Sequence, residues 1–321
     1  MRDIRQRNKS HLSQRSPTGK SVGNARRWYP GPYAPPDRNG ARIYAWGYMT
    51  NVGDKLLGIS SMEYCDTKIF GSVPLPNSIS EILDLAREHS ADRRNVHLWR
   101  GQSNIVWPIH SSGYRRLIRK NQTVNESRMQ SYEEYLLTHA THQGYRFESG
   151  RELSDFELLA KLQHHGAATR LIDCSRNIMA ALWFACASEP DEKGLLFGVH
   201  SDHLGGGENK PETRQYKDIF KGLEQFRHPQ TWQPPVVSKR IAAQGAQFLY
   251  STVVDCKMGS LAIEEEKETH IAIGISPAFK SIALEELSGL FDIRYLTLFP
   301  DIDGFGHANS QEFDQHESER W

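Results

Sequence analysis

Gln163-His164-His165-Gly166-Ala167-Ala168-Thr169-Arg170-Leu171-Ile172-Asp173, running on to Ala181-Leu182-Trp183-Phe184-Ala185, sets a helix, a glycine stop, a polar turn and a second helix in one short span. Upstream, Ser154-x-x-Glu157 has the capping-box pattern, and Phe156, Leu159, Ala160 and Gln163 continue it at helical spacing. Gly166 stands where a C-cap glycine belongs, so the helix is expected over 154–165. The buried-looking run Met179 to Phe184 predicts the next helix, near 177–188. Between them lie two imidazoles, a hydroxyl, a guanidinium and a carboxylate. Polar groups packed between apolar helices are costly without partners, so this cluster is a candidate site. The same residues also have a purely structural reading. His164 and His165 suit a helix C-terminus, and Arg170 and Asp173 could pair with each other.

Two further stretches have the same character. Val96-His97-Leu98-Trp99-Arg100-Gly101-Gln102 reads as a strand ending in Arg-Gly. A guanidinium fork binds phosphate bidentately, and glycine lets a ligand come near the backbone. Ser111, Ser112, Gly113, Tyr114, Arg115 and Arg116 add hydroxyls and positive charge downstream. Gln244-Gly245-Ala246-Gln247 precedes the apolar strand expected over 247–255. Glutamine can hold an amide or a ribose hydroxyl, but it cannot act as a general base.

Taken in order, five pieces resemble the FRG domain, a family named for an aromatic-Arg-Gly motif. They are Leu98-Trp99-Arg100-Gly101-Gln102, Leu162 to Gly166 with Thr169 to Asp173, and Ala181 to Ala185, followed by Arg240-Ile241 with Gln244-Gly245-x-Gln247-Phe248 and by Leu298-Phe299-Pro300-Asp301-Ile302-Asp303-Gly304. The resemblance covers residues 77–306. Trp99 replaces the usual Phe or Tyr, and Cys174 with Ser175-Arg176-Asn177 stands where the family tends to have Trp and a following Pro. The aromatic-Arg-Gly strand is similar in turn to the first motif of ADP-ribosyltransferases, whose arginine holds NAD phosphate.

That resemblance implies an α+β domain with an ADP-ribosyltransferase-like β core, using NAD as substrate. It further implies a bacterial toxin or anti-phage effector that modifies RNA or protein, held in check by a cognate antitoxin and assisted by a chaperone. Arg100, Gly101, Gln102, Tyr114, Thr169 and Gln244 are then the dinucleotide-binding residues, with Trp99 a second ring for stacking. Gln244-x-x-Gln247 stands where a glutamate is expected, so His165, Asp173, Arg170 and Gln247 become the catalytic candidates. Breaking the nicotinamide–ribose bond passes through an oxocarbenium-like state. It needs an anchored phosphate, a stabiliser of positive charge and a base. Two rival readings use the same residues: a metal-independent RNase-like toxin built on His164, His165 and Asp173, and a non-enzymatic nucleotide- or nucleic-acid-binding module.

The chain has 321 residues, 38% hydrophobic and 24% charged, with zero net charge, so no global field points to nucleic acid or membrane. The ends differ. Residues 1–27 form a basic arm, expected to be disordered alone, with Trp28, Tyr29 and Tyr33 beside it for stacking on bases. Residues 28–76 read as a small β-rich extension with a turn at Asn51-Val52-Gly53-Asp54, and residues 307–321 as an acidic tail. Helices are expected from Ser78 onward and near 131–142 and 281–289, and strands near 194–200, 270–276 and 293–298. Residues 201–236 are expected to be partly irregular. Cys65, Cys174, Cys186 and Cys256 form no Cys-x-x-Cys pair. His139-x-x-His142 and His164-His165 lack an obvious third ligand, so no metal is expected. The charged N-terminus has no apolar core and no run approaches membrane length, which gives a cytoplasmic expectation with no membrane partner.

Overall fold

Residues 62–89, 97–120, 123–223, 226, 228–236, 238–264 and 269–311 are described in a computed structural model of the chain. The expected basic arm, the turn at 51–54 and the acidic end from residue 312 lie outside the described residues. The described residues belong to one unit, Ser60–Trp321.

In chain order the elements begin with the antiparallel hairpin β1 (Glu63–Thr67) and β2 (Gly71–Leu75), then α1 (Ile79–His89) and β3 (His97–Gln102). Next come α2 (Ser112–Arg119), α3 (Glu126–His142), the short hairpin β4 (Phe147–Glu148) and β5 (Arg151–Glu152), and α4 (Asp155–His164). β6 (Ile172–Ser175), α5 (Ile178–Cys186), β7 (Gly194–His200), β8 (Gly205–Gly207) and α6 (Tyr216–Lys221) follow. The last elements are β9 (Gln230–Trp232), α7 (Lys239–Ala243), β10 (Ala246–Tyr250), β11 (His270–Ile275), α8 (Pro277–Phe291), α9 (Tyr295–Leu298) and α10 (Ile302–Ala308). The mixed α+β class is as expected.

The central sheet runs in the order β11-β7-β3-β6-β10-β9-β8, antiparallel except between β8 and β9. Strand alternation sends successive side chains to opposite faces. Leu98, Ile172, Cys174, Leu195, Phe197, Val199 and Leu249 pack on one face with Ile105, Ile109, Met258 and Leu261. The other face carries two separate apolar clusters. One joins Trp99, Leu196 and Ile273 to α1, α5 and α8. The other joins Trp232, Phe248 and Tyr250 to α3, α4 and α6. The β1–β2 hairpin shares the core with β11, since Val73 and Leu75 approach Gly274.

One strand junction is incomplete. β3 follows β7 along its whole length, but meets β6 at a single pair, Trp99 with Ser175. A continued ladder would set Gly101 opposite Asp173. Instead the strands part, and the sheet opens beneath the seam between the two clusters.

Helix ends follow local chemistry. The capping box of Ser154 and Glu157 is present, and α4 stops in a Schellman turn: Gly166 N–H donates to the Gln163 carbonyl and Ala167 N–H to the Leu162 carbonyl, with Gly166 at φ 86°. α3 begins earlier than expected because Asn125 caps it, and α8 because Ser276 caps it ahead of Pro277. The strand expected at 293–298 is instead the helical turn α9. Local side-chain bonds favour the turn: the Thr297 hydroxyl accepts from Arg294 N–H and donates to the Asp292 carbonyl. β10 ends at Tyr250, short of 255, because the Ser251 carbonyl and Val253 N–H bond to Arg170 and Glu126.

Gly101 answers a packing need. A Cβ there would lie 1.9 Å from the Ala181 carbonyl oxygen and 2.6 Å from the Ala185 nitrogen, so α5 can sit on β3 only over a glycine. Gly289, within α8, has open space around it. Gly101→Ala is expected to lower stability by about 3 kcal/mol through overpacking, while Gly289→Ala raises it by about 0.5–1 kcal/mol. Chemical denaturation of the two variants checks the contrast.

Candidate functional site

Over the opened junction lies a cavity of about 340 Å³. Its floor is Trp99, Arg100 and Gly101 of β3, Asp173, Cys174 and Ser175 of β6, and Ala246 and Phe248 of β10. The helices above contribute Ala160, Gln163 and His164 from α4, Ala181 and Phe184 from α5, and Arg240 and Ile241 from α7, with Gln244 just beyond it and Phe299 opposite. The cavity is therefore the gap between the two apolar clusters, floored where the ladder is missing.

Arg100 fills the place of a ladder bond. Its Nη1 donates to the Asp173 carbonyl at 2.8 Å and its Nε to Gln102 Oε1 at 3.2 Å. These bonds use two of the five N–H groups of the guanidinium. The Asp173 carboxylate accepts from Gln163 Nε2 at 2.8 Å. It is reached by solvent through the mouth, with protein around it otherwise. Withdrawal from water pushes its carboxyl above the ordinary range, outweighing the pull of Arg100 and the Gln163 hydrogen bond. Arg115, on α2, is close enough to act electrostatically on both Arg100 and Asp173.

The α7 side is pinned as well. Arg240 forms a two-pronged pair with Asp301, Nε to Oδ2 at 2.9 Å and Nη2 to Oδ1 at 2.7 Å, and lies 4.7 Å over the Phe299 ring. Gln244 Nε2 donates to the Leu298 carbonyl at 3.1 Å, and the Gln244 carbonyl accepts from the Ser175 hydroxyl at 2.6 Å. Burial, with the Arg240 charge and the His165 ring beside it, depresses the His164 imidazole below its ordinary value of 6.5, leaving it neutral at neutral pH. His164 Nε2 stands 3.4 Å from Asp301, and His165 Nδ1 stands 3.6 Å from Asp303. Asp303 of α10 is thus the third polar group beside the two histidines, one that spacing along the chain does not join to them.

Of the residues singled out from sequence, Arg100, Gly101, Asp173 and Gln244 come together at the cavity. The others are placed differently. His165 is turned to Asp303, and His164 lines the cavity in its place. Gln247 is buried, with its amide nitrogen donating to the Thr231 hydroxyl at 2.7 Å, because strand alternation puts it on the face opposite Ala246 and Phe248. Tyr114 is buried against Leu117 and Met129 and stacks on His110, so it has no ring to offer the cavity. Thr169 donates its hydroxyl to Gln163 Oε1 and thereby orients the amide that holds Asp173. Gln102 supports Arg100 from outside the lining and donates to the Trp107 carbonyl. Gly101 makes room for α5 rather than for a ligand.

Arg170 is a structural anchor. Its guanidinium is 3% exposed and donates to Glu133 at 2.7 Å, Glu126 at 2.8 Å and the Tyr216 hydroxyl at 2.7 Å, against the Phe220 ring at 3.7 Å. With the Ser251 carbonyl these bonds take four of its five N–H groups, and the side chain is buried away from the cavity lining. Sequence reasoning passed over Glu133, and it quoted Arg240, Phe299 and Asp301 within motifs without giving them roles; those motif fragments were the signal.

Glu133→Gln leaves the Arg170 charge buried without its main partner and is expected to cost about 3–5 kcal/mol in unfolding free energy. The joint replacement Arg170→Met with Glu133→Leu costs less than Glu133→Gln alone. For Asp173 the folded carboxyl titrates above the ordinary value of 3.8. Its stability contribution is therefore present in full below that value and lost as pH rises through the folded value. Asp173→Asn is expected to melt higher than wild type at neutral pH, with the difference closing below pH 3.8; a melting series against pH checks both limbs.

The curated proteins and the solved structures give no match to this chain. The family comparison does: residues 95–194 match the FRG domain. That span holds β3, α4, β6 and α5, hence Arg100, His164 and Asp173, while Arg240, Gln244 and Phe299, which complete the cavity, lie beyond it.

Proposed function

We propose that the cavity binds NAD and that the protein is an ADP-ribosyltransferase whose β core is of ADP-ribosyltransferase type. The observation that carries this reading is the convergence of Arg100, Asp173 and Gln244 on one recess at a break in the sheet. A cavity of about 340 Å³ is at the lower end of the range for small-molecule sites, roughly 300–1,000 Å³. It suits the nicotinamide–ribose–phosphate half, with the remainder of the dinucleotide along the rim. Arg100 presents its remaining N–H groups to a phosphate, and Trp99, Phe184, Phe248 and Phe299 give an apolar wall for a ring. Asp173, the one carboxylate in the lining, stands ready to stabilise positive charge developing at the ribose. His164, neutral in its surroundings, accepts the proton of the incoming nucleophile.

The wider reading is a bacterial toxin or anti-phage effector that modifies RNA or protein under the restraint of a cognate antitoxin. It comes from the resemblance to such families rather than from the cavity. Among the described residues no helix is long and apolar enough to cross a membrane. A second reading, a nucleotide-binding module without turnover, is favoured by one feature: the lining contains no glutamate, and its single carboxylate is already hydrogen-bonded by Gln163.

Full-length protein incubated with NAD labelled in the adenylate moiety, together with total cellular RNA and protein, separates these readings. Label on a macromolecule is expected for the wild type. Loss of transfer by about a hundredfold or more is expected for Arg100→Lys, which keeps the charge but not the fork, and for Asp173→Asn. Binding of NAD without transfer supports the module, and shortened RNA without label supports a nuclease.

A further inference from the structure

His164 is the last residue of α4, His165 its C-cap, and the Schellman turn at Gly166 fixes both against the start of α10. We propose that His164, His165 and Asp303 form a binding site for a divalent transition-metal ion of the zinc class at the rim of the cavity. One ligand atom from each of the three lies within 4.8 Å of the others. The His165 Nδ1 to Asp303 Oδ2 distance, 3.6 Å, is close to the separation of about 3.4 Å between two ligands on a tetrahedral ion with bonds of about 2.1 Å. The two rings stand edge to face, 4.8 Å between centroids, so small side-chain rotations close the site.

The surroundings are those of a metal site. Asp301, held on both oxygens by Arg240, lies 3.4 Å from His164 Nε2 and supplies the carboxylate that orients a ligating imidazole through its other nitrogen. Arg240 balances Asp301, so the charge of Asp303 remains for the ion. Imidazole nitrogen with carboxylate oxygen favours zinc, nickel, copper or iron over magnesium and calcium. His165 and Asp303 are more than half exposed, which leaves coordination positions open to solvent or to a ligand, as in catalytic rather than structural sites. Because His164 also lines the cavity, the ion would border whatever anion Arg100 holds. The site does not rest on the NAD reading, since its ligands can bind metal whether or not a dinucleotide enters; with the ion bound, His164 holds it and no longer serves as the proton acceptor of that reading.

Untagged full-length protein, treated with chelator and desalted, is titrated with Zn²⁺ by calorimetry and with Co²⁺ by visible absorption. One ion per chain is expected, with a Co²⁺ ligand-field spectrum. Binding is expected to weaken at least a hundredfold in His165→Ala and in Asp303→Ala, two exposed positions where the fold tolerates truncation, and to persist in the double variant His139→Ala, His142→Ala. No binding by the wild type, or binding undiminished in His165→Ala and Asp303→Ala, overturns the site.

Discussion

A side chain stands where a strand ladder breaks off. Between β3 and β6 only Trp99 and Ser175 pair, and the Arg100 guanidinium takes up the Asp173 carbonyl that a continued ladder would have satisfied. The carbonyl that the ladder leaves unmet is met by the guanidinium instead, so the opening in the sheet and the arginine within it belong together. The cavity, its acid and its ring-lined wall all follow from that arrangement. Without the break, the two apolar clusters on this face would have no recess beneath their seam.

The opening is kept by anchors outside it. Arg170, three residues before Asp173, is locked into Glu133, Glu126 and Tyr216, which ties the start of β6 to α3 and α6. Gly101 lets α5 sit directly on β3, and Arg240 with Asp301 binds α7 to the start of α10. Thr169 and Gln163 then pass this rigidity to the Asp173 carboxylate through two hydrogen bonds. Such a frame suits a site whose charged groups must be held ready rather than assembled on binding.

Much of this was legible in the chain. The capping box at Ser154, the glycine stop at Gly166 and the continuous apolar run of α5 are local signals, and the structure follows them. Asp173 stood out as a polar group between apolar helices, Arg100 as a strand-end arginine beside a glycine, and Gln244 through the FRG resemblance. Arg170 was misread for a reason the sequence does not display: its partners Glu126 and Glu133 lie on a helix some forty residues away, so the same guanidinium looks like a ligand-binding group until the fold closes. Tyr114 and Gln247 failed similarly, since which face of an element is buried depends on neighbours distant in sequence. At 293–298 a strand was expected, and two side-chain hydrogen bonds of Thr297 accompany a helical turn instead. Asp303 could not be joined to His164 and His165 by spacing, because α10 reaches them only in three dimensions.

The convergence of three distant stretches on one ligand is most directly tested by hydrogen exchange of the full-length protein with and without NAD. Slowed exchange concentrated in residues 97–102, 163–176 and 240–248 together is expected. Protection confined to one of these stretches, or lying elsewhere, would contradict a shared dinucleotide site, as would exchange unaltered by saturating NAD.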